Sequence, residues 1–421
     1  MKKKLVMTTI STTSPLWPFH LAVAKQQDHL RQELVGKRLN ELRTPTLVID
    51  RTVVKRNCER LGNIKTKHNV NVRVHVKSHK TVEGTAIQLE EAKTDSIVVS
   101  TMAEAHLMVS SQLVTDGKLK QILLGFPITP DKFTEVFELA ERVQAFQIFI
   151  DRLETLEALE DYHKTRPLQK KIGVFIKINC GYGRAGVPLD SASEKESVLA
   201  LAKRLASSNS CTTLHGLYAH AGHSYKARSP QEALSYLEAE CNSAREFQTF
   251  FLKEANINIP YLSIGATPTV QAIVHHTDNE RVSKALEGIT EVHAGAYSLL
   301  DRQQMATGLC TEKDIAISVA CRVASRYPDR GTTLIDGGAL AFSKDNAPQG
   351  GFGITTTGVV LQSVSQEHGI LASSSPDMHV GDIVRVQPNH CCLTSACHNY
   401  YLVVEDGGDQ VVDVWFPVRG W

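Results

Sequence analysis

A lysine flanked by two histidines follows a short apolar run in the sequence, His75-Val-Lys-Ser-His-Lys80. Valines recur at period two from Val72 to Val76, which predicts a strand that carries Lys77 at its carboxyl end. A lysine amine in such a place can act as a nucleophile toward carbonyl carbons. The same residues also fit a solvated basic patch that contacts anions, so other parts of the sequence must decide between the two.

Residues 388–398 contain the densest set of metal-ligand residue types in the chain. His390 and Cys392 are two residues apart, so on an extended backbone both side chains point the same way and could share one Zn²⁺ ion. Two protein ligands would leave the ion open to water or substrate. The alternatives are a closed structural site that also recruits Cys397 and His398, or cysteines that bind no metal.

Short β-branched runs alternate with longer segments of helical periodicity over most of the chain. The predicted strands are 72–76, 96–100, 121–124, 146–150, 173–178, 214–219, 261–264 and 290–293. Segments of helical spacing between them include 132–142, 152–165, 194–207 and 231–255. Eight such units predict a (β/α)8 barrel of the TIM type.

The unusual residues follow these predicted strands, at the end where barrel enzymes place their catalytic groups. The loops after the seventh and eighth strands contain Gly265 and Gly295, where exposed N–H groups could hold a phosphate with help from the Thr267 hydroxyl. Taken alone, this pattern also fits a simple turn. A lysine amine opposite a phosphate cradle suggests pyridoxal phosphate, held by Lys77 as a Schiff base.

Aromatic and imidazole side chains accompany the sixth predicted strand. Tyr218 and His220 are two residues apart and are expected to face the barrel mouth together. His220 could pack against the pyridine ring, and Tyr218 and Tyr225 could hydrogen-bond the cofactor or the lysine. The alternative is a packed histidine with two amphipathic tyrosines.

After about residue 313 the pattern changes to strands without intervening helices, which predicts a separate antiparallel β domain. Its predicted strands are 317–323, 332–335, 355–364, 382–387, 400–404 and 411–415. The chain is therefore divided into an N-terminal extension (1–40), a barrel (41–312) and a C-terminal β domain with the metal-ligand pair (313–421). Segment 47–50 could belong either to the barrel or to the C-terminal β domain.

Composition excludes several classes of partner. A net charge of +1 over 421 residues gives no reason to expect nucleic acid or a membrane surface, and no apolar run reaches the roughly 18 residues of a membrane span. Nine cysteines without framework spacing favour reduced thiols and a cytoplasmic protein. Residues 1–25 are expected to be loosely ordered, the alternative being a presequence.

Together these motifs resemble the fold type III pyridoxal-phosphate enzymes, specifically the eukaryotic D-serine dehydratases, a branch shared with the D-threonine aldolases. The similarity runs from about residue 42 to the end, through 75–80, 216–225, 265–269, 291–297 and 388–392. The resemblance implies an alanine-racemase-like barrel and β domain, a Schiff base at Lys77, and a catalytic zinc on His390 and Cys392. It also implies a homodimer with the site near the interface.

Some positions depart from the pattern of the family. Ser78 replaces a threonine, the residues around Cys391 differ, and Ala296 replaces an asparagine near the phosphate, keeping only its backbone N–H. His293 stands where relatives place a partner for the pyridine nitrogen. A neutral histidine there would leave that nitrogen less firmly protonated than a carboxylate would.

The resemblance also implies a reaction. The aldolases carry an aspartate where this chain has Cys392, which favours a dehydratase that converts D-serine to pyruvate and ammonia by α,β-elimination. Lys77 would remove the α-proton, and zinc would bind the substrate hydroxyl as a Lewis acid. The alternatives are a metal-dependent D-threonine aldolase, which cleaves Cα–Cβ, and a non-catalytic pyridoxal-phosphate carrier.

Overall fold

A computed structural model describes residues 19–207, 211–372 and 377–421. Residues 1–18 of the predicted extension lie outside the described residues, and its remainder begins with helix α1 (Phe19–Leu34). The N–H groups of Gly36 and Leu39 donate to the carbonyl oxygens of Val411 and Asp409, at 2.8 and 2.9 Å. Residues 36–39 are therefore hydrogen-bonded to the C-terminal segment.

Strand β1 (Thr46–Asp50) precedes a closed barrel of eight parallel strands, β2 to β9. The barrel strands are Asn71–His75, Ser96–Val99, Gln121–Pro127, Ala145–Ile150, Ile172–Lys177, Thr212–Tyr218, Leu262–Ile264 and Glu291–Ala294. The predicted (β/α)8 barrel is confirmed, and strand ends differ from prediction by at most three residues. The β-branched residues that gave the prediction are buried on both strand faces, as in β3, where every position is buried.

Helices connect the strands on the outside of the barrel. Helices α2 to α12 are Arg51–His68, Val82–Glu91, Met102–Val109, Gln112–Thr115, Phe133–Arg142, Leu153–Thr165, Ala192–Ala206, Pro230–Ala255, Thr267–His275, Glu280–Ala285 and Arg302–Met305. The long helix α9 starts where its sequence predicts. Pro230 occupies its first turn, and the Ser229 side chain accepts the Glu232 N–H at 3.2 Å.

The second unit is an antiparallel-rich sheet of nine strands. Strands β10 to β17 are Ile317–Tyr327, Thr332–Ile335, Gly353–Thr355, Val360–Val364, Gly369–Leu371, Ile383–Pro388, Tyr401–Val404 and Asp413–Trp415, with short helices α13 (Ala339–Phe342) and α14 (Cys391–Ala396). Strand β1 lies between β10 and β16, antiparallel to the first and parallel to the second. Of the two alternatives for segment 47–50, the structure therefore shows the one in which it joins this sheet.

The predicted strand 355–364 is in fact a hairpin. Gly358 adopts a positive φ of 86°, which lets the chain reverse between β12 and β13. Strand β14 has only three residues and gave no usable period in the sequence. Over the described ranges, no helix is long and apolar enough to cross a membrane.

Candidate active site

Lys77 lies in a short 3₁₀ turn, Val76–Ser78, directly after strand β2. Its Cε is 3.3 Å from where a Cβ at position 295 would lie, so the lysine extends over Gly295 at the end of the neighbouring strand. Lys80 is different, since its Nζ pairs with the buried carboxylate of Glu104 at 2.9 Å. Of the two lysines in the motif, Lys77 is thus the one at the barrel mouth.

The two histidines of the motif also have different surroundings. His79 is buried and bonds the side chains of Thr81 and Gln88, at 3.0 and 2.9 Å, which gives it a structural role. His75 lies against Gly295, at 3.3 Å from the same Cβ position. Burial, followed by the charge of Lys77, holds the pKa of His75 well below its usual range. His75 is therefore a neutral group beside the lysine.

The loop after strand β8 needs glycine at its first position. Gly265 has a φ of +155°, and a Cβ there would lie 2.0 Å from the carbonyl oxygen of His293. Two residues on, Thr267 is buried at the start of helix α10, and its side chain lies near the Tyr225 hydroxyl. The structure thus brings Thr267 and Tyr225 together, as a phosphate-binding rim would require.

His220 is positioned through its Nδ1 atom, which lies 2.7 Å from the carbonyl oxygen of Gly265. A carbonyl can only accept, so Nδ1 carries the proton of the neutral ring. Burial, followed by the charges of Lys177 and Lys77, holds the pKa of His220 well below its usual range. The neutral ring therefore leaves Nε2 as an acceptor.

Tyr218 packs among other aromatic and imidazole rings of the barrel. It is buried against the rings of Phe149 and His293, with centroid distances of 4.5 and 3.8 Å. The His293 ring is nearly parallel to it, at 13°. Alternation along strand β7 predicted that Tyr218 and His220 share a face, and the earlier residue, Tyr218, is the more buried of the two.

A buried carboxylate that the sequence analysis missed links two of these loops. Glu240, on helix α9, accepts the N–H groups of Ala221 and Gly265 at 2.8 and 3.0 Å and the Thr269 hydroxyl at 3.0 Å. The Gly265 N–H therefore already donates to Glu240. Contrary to our expectation, it is not free to bind a phosphate. The sequence feature that could have revealed Glu240 is an acidic residue on the apolar face of α9, next to Leu237 and Cys241, which are buried.

We expect Glu240→Gln to lower the free energy of unfolding by about 2 kcal/mol, since bonds to a buried charged acceptor are lost. The amide nitrogen would also replace the oxygen that accepts the Thr269 hydroxyl. The matched control is Glu238→Gln on the same helix, whose carboxylate pairs with Arg281 at 2.8 Å near the surface. It should cost less than about 1 kcal/mol. Denaturant unfolding of both variants measures the difference, and equal losses would contradict the linking role.

A second lysine also ends a barrel strand. Lys177 closes strand β6, is buried, and lies with its Nζ 4.9 Å from the centroid of the Tyr218 ring. Burial lowers its pKa to about 8. The reasoning that singled out Lys77 applied equally to this residue, because apolar positions 174–176 precede it. Only the neighbouring loops distinguish the two.

His390 and Cys392 meet near the barrel mouth. Their side chains are within hydrogen-bonding contact, and His390 Nδ1 lies 2.5 Å from the carboxylate of Asp345. Because that carboxylate binds Nδ1, the other ring nitrogen, Nε2, faces Cys392 and is the atom available to coordinate a metal, as in sites where a carboxylate orients a histidine ligand. The hydrogen bonds from Cys391, and then from His390, hold the pKa of Cys392 well below its usual range, which favours the metal-binding thiolate.

The predicted extended geometry of this pair is not observed. His390 is extended, but it caps helix α14, which starts at Cys391, so Cys392 already has helical backbone. The Cys391 N–H donates to Asp301 at 2.8 Å, and this buried carboxylate satisfies one of the free N–H groups at the helix start. The helix turn, rather than strand alternation, brings Cys392 back toward His390.

The alternative with four ligands does not assemble. His398 donates its Nε2–H to the carbonyl oxygen of Ala341 at 2.9 Å, and the Cys397 thiol donates to that of Leu393 at 3.4 Å. Within the part of the chain that the structure describes, no group of three or more His, Cys, Asp or Glu residues could hold a metal ion. The donor set available is therefore the pair His390 and Cys392.

Ser78 connects the two halves of the site. Its Oγ lies 3.3 Å from the Sγ of Cys392, and it directly follows Lys77. The barrel strand and the β domain thus bring an amine and a metal-ligand pair to one place. This contact explains a position that sequence reasoning left without a role.

Two family models match the chain. The model described as "Alanine racemase, N-terminal domain" matches residues 49–290, and the one described as "Putative serine dehydratase domain" matches residues 316–404. The first covers almost all of the barrel, and the second covers most of the sheet that carries the metal-ligand pair.

Curated relatives match over nearly the full length. The D-serine dehydratase of Schizosaccharomyces pombe is 36% identical, covering 96% of this chain and 97% of the relative. The D-serine dehydratase of Dictyostelium discoideum is 30% identical, and the match covers 91% of this chain and 98% of the relative. Among solved structures, D-threo-3-hydroxyaspartate dehydratase from Delftia sp. HT23 is 28% identical with a TM-score of 0.79, covering 91% and 100%. An alanine racemase of Clostridium difficile 630, 15% identical with a TM-score of 0.60 over 89% and 98%, shares the fold.

Proposed function

The chain belongs to the eukaryotic D-serine dehydratase family of fold type III pyridoxal-phosphate enzymes, and from this premise we propose that it converts D-serine to pyruvate and ammonia. The substrate loses a proton from Cα and hydroxide from Cβ, and the released 2-aminoacrylate is hydrolysed by water. Three curated D-serine dehydratases at 30–36% identity support this reaction class.

One observation carries the proposal beyond similarity, namely the contact of 3.3 Å between Ser78 Oγ and Cys392 Sγ. It places the Lys77 turn directly against the metal-ligand pair. An elimination needs a base at Cα and assistance to the leaving group at Cβ of the same small substrate. The contact supports the proposal because the turn that carries Lys77 touches Cys392, one of the two residues proposed to bind the metal.

The residues of the rim fit pyridoxal phosphate, and one buried polar atom supports the fit. His293 Nε2 is buried and has no hydrogen-bond partner among the described residues, as expected of a group that meets a bound ring. When bound, the cofactor supplies an electron sink for negative charge at Cα. The proposed contacts, which include those implied by family resemblance, are Lys77, Tyr218, His220, Tyr225, Gly265, Thr267, His293, Gly295 and Ala296.

These residues have different roles in the proposal. The Lys77 amine would hold the cofactor covalently and, when free and neutral, would accept the α-proton of the substrate. The Thr267 and Tyr225 hydroxyls and the backbone at Ala296 hold the phosphate. Gly265 contributes through its shape, because its N–H is bonded to Glu240.

We further propose that His390 and Cys392 hold a zinc ion. An imidazole and a thiolate suit zinc, and a site with two protein ligands leaves positions for water or a substrate hydroxyl. Asp345 would orient the His390 ring. Solved structures of D-threo-3-hydroxyaspartate dehydratase include a histidine-to-alanine variant and a cysteine-to-alanine variant in a metal-free form. The two substituted positions are two residues apart in that protein, which is the spacing found here.

A D-threonine aldolase is the nearest alternative, since the D-threonine aldolase of Arthrobacter sp. is 25% identical over 92% of this chain. We expect the purified protein to form pyruvate and ammonia from D-serine, with no pyruvate from L-serine. Glycine from D-threonine at a higher kcat/KM would instead support the aldolase. Coupled assays for pyruvate and glycine, run with equal concentrations of each substrate, make the distinction.

A non-catalytic carrier of pyridoxal phosphate is the third possibility. The attached β domain with its metal-ligand pair speaks against it, because a carrier needs no group beside the cofactor that activates a leaving group. Bound cofactor and zinc without turnover of any small β-hydroxy D-amino acid would support the carrier.

The quaternary structure, the compartment and the domain limits are also proposals. We propose a homodimer on the strength of the family resemblance, which mass measurement in solution would test. All nine cysteines are free in the structure, which supports a reducing compartment such as the cytoplasm. For the domains we propose a barrel that starts after β1 and a β domain made of β1 and residues 313–421. The partner is a small D-amino acid, with neither nucleic acid nor membrane required.

A further inference from the structure

A chain of buried hydrogen bonds runs through the barrel interior to His293. The Arg73 guanidinium donates to Glu291 Oε1 at 2.9 Å, and the Ser263 hydroxyl reaches the same oxygen at 2.7 Å. Tyr261 donates to the other carboxylate oxygen at 2.8 Å. Ser263 Oγ also lies 2.9 Å from His293 Nδ1. Arg73, Ser263, Glu291 and His293 are each at most 2% exposed, so water does not compete for these bonds.

The donors and acceptors in this chain can be assigned from chemistry alone. A carboxylate paired with a guanidinium has no proton to give, so Glu291 accepts from Ser263. The serine hydroxyl has a single proton, and that proton is used on Glu291. Ser263 Oγ must therefore accept at His293, which means that Nδ1 of His293 carries a proton.

The other ring nitrogen then has a defined state. With its proton on Nδ1, the neutral ring of His293 presents a lone pair at Nε2, and this atom is buried without a partner among the described residues. Burial, which is the main cause, holds the pKa of His293 well below its usual range, and this keeps the ring neutral. Nε2 can accept a hydrogen bond, but it carries no proton and cannot donate one.

We propose that Arg73, Glu291 and Ser263 form a relay that fixes His293 as a hydrogen-bond acceptor, so that the site selects the protonated pyridine nitrogen of the cofactor. This inference rests on the proposed function and deepens it by assigning positioning residues and a protonation state. An unprotonated ring nitrogen would place two lone pairs against each other in a buried site. A protonated ring nitrogen withdraws electrons more strongly, which assists proton removal at Cα.

The relay also modifies the expectation drawn from sequence. A neutral histidine that could adopt either tautomer would protonate the ring nitrogen less firmly than a carboxylate. A histidine fixed in one tautomer accepts only, and so it resembles a carboxylate in its preference for an N–H partner. Ser263 and Glu291 are thus expected to affect the spectrum of the bound cofactor although neither touches it.

Nitrogen NMR tests the proposal directly. The protein is labelled with ¹⁵N-histidine and loaded with ¹⁵N-pyridoxal phosphate, and the His293 signals are assigned by their loss in His293→Gln. We expect His293 to be protonated at Nδ1 in both the cofactor-free and loaded protein, and the cofactor nitrogen to resonate in its protonated range. Ser263→Ala should move the cofactor nitrogen toward its unprotonated range and weaken cofactor binding about 10-fold, within the range typical of second-shell changes.

The variant Ser263→Thr keeps the hydroxyl and should restore the wild-type nitrogen signal, which separates the relay from a general loss of packing. Protonation of His293 at Nε2, an unprotonated cofactor nitrogen in the wild type, or a Ser263→Ala signal identical to wild type would overturn the relay. Each of these results is compatible with pyruvate formation from D-serine, so it would leave the proposed function intact. Absence of a Schiff base at Lys77 would instead overturn the proposed function, and the cofactor-free histidine signal would still decide the tautomer.

Discussion

Replacing Lys77 with alanine is expected to abolish both D-serine turnover and the visible absorbance of the bound cofactor. The amine is the only group in the proposal that forms the covalent link, and it is also the base at Cα. Loss of a positioned base alone costs about 10²–10⁴-fold in rate, and loss of the attachment adds to this. Absorbance spectra and a pyruvate assay on the same preparation measure both effects.

The control for this prediction is the other lysine that ends a barrel strand. Lys177 is buried with a pKa lowered to about 8, so its chemistry also suits Schiff-base formation. Borohydride reduction followed by peptide mapping should place the cofactor on Lys77, and Lys177→Met should retain the visible absorbance. Cofactor trapped on Lys177 would contradict the assignment. Lys77→Arg, which keeps the charge without forming a Schiff base, should be as colourless as the alanine variant.

The second large effect is expected at the metal-ligand pair. His390→Ala and Cys392→Ala should each lose bound zinc and reduce D-serine turnover by about 10²-fold or more, because a change in a ligand's partner alone typically costs 10–100-fold. The visible absorbance should remain, since the cofactor is held by the barrel. Metal analysis, absorbance and pyruvate formation are measured on each variant.

Two further variants test which residues contribute to zinc binding. Asp345→Asn weakens the group that orients His390, so about a 10–100-fold loss of zinc affinity is expected. Cys397→Ser, in the same segment but bonded to the Leu393 carbonyl oxygen, should bind zinc as the wild type does. Equal zinc content in wild type and Cys392→Ala would refute the ligand assignment, and a loss in Cys397→Ser would revive the closed site.

The local pattern of β-branched residues was sufficient to predict most of the barrel. Parallel strands buried on both faces give short β-branched runs, and these located all eight barrel strands within three residues. The exception, strand β1, has a physical cause. Strand β1 has the composition of a barrel strand, and only its pairing with β10 and β16 shows that it belongs to the sheet.

The site residues were predictable where they follow a strand and unpredictable where they depend on distant contacts. The sequence predicted that Lys77, His220 and Thr267 follow the ends of strands, and the structure has all three there. Asp345 lies 45 residues from His390 in sequence, and no local signal pairs them. The state of His293 depends on Ser263, which only the closure of the barrel places beside it.

Orientation inferred from alternation failed where the backbone left the strand. Cys392 was assigned to an extended segment, but a helix begins at Cys391 because the buried Asp301 carboxylate accepts its N–H. The free phosphate-binding N–H expected at Gly265 is instead bonded to Glu240, a carboxylate on a helix far along the chain. Both errors arose from buried acceptors that sequence periodicity does not reveal.

The central claim is that a lysine-bound cofactor and a zinc ion act on one D-serine molecule. The most direct measurement is pyruvate formation from D-serine by the cofactor-loaded protein after zinc removal, with residual metal determined on the same sample. We expect the visible absorbance to persist, pyruvate formation to stop, and added Zn²⁺ to restore it. Undiminished pyruvate formation in a verified metal-free sample would contradict the claim.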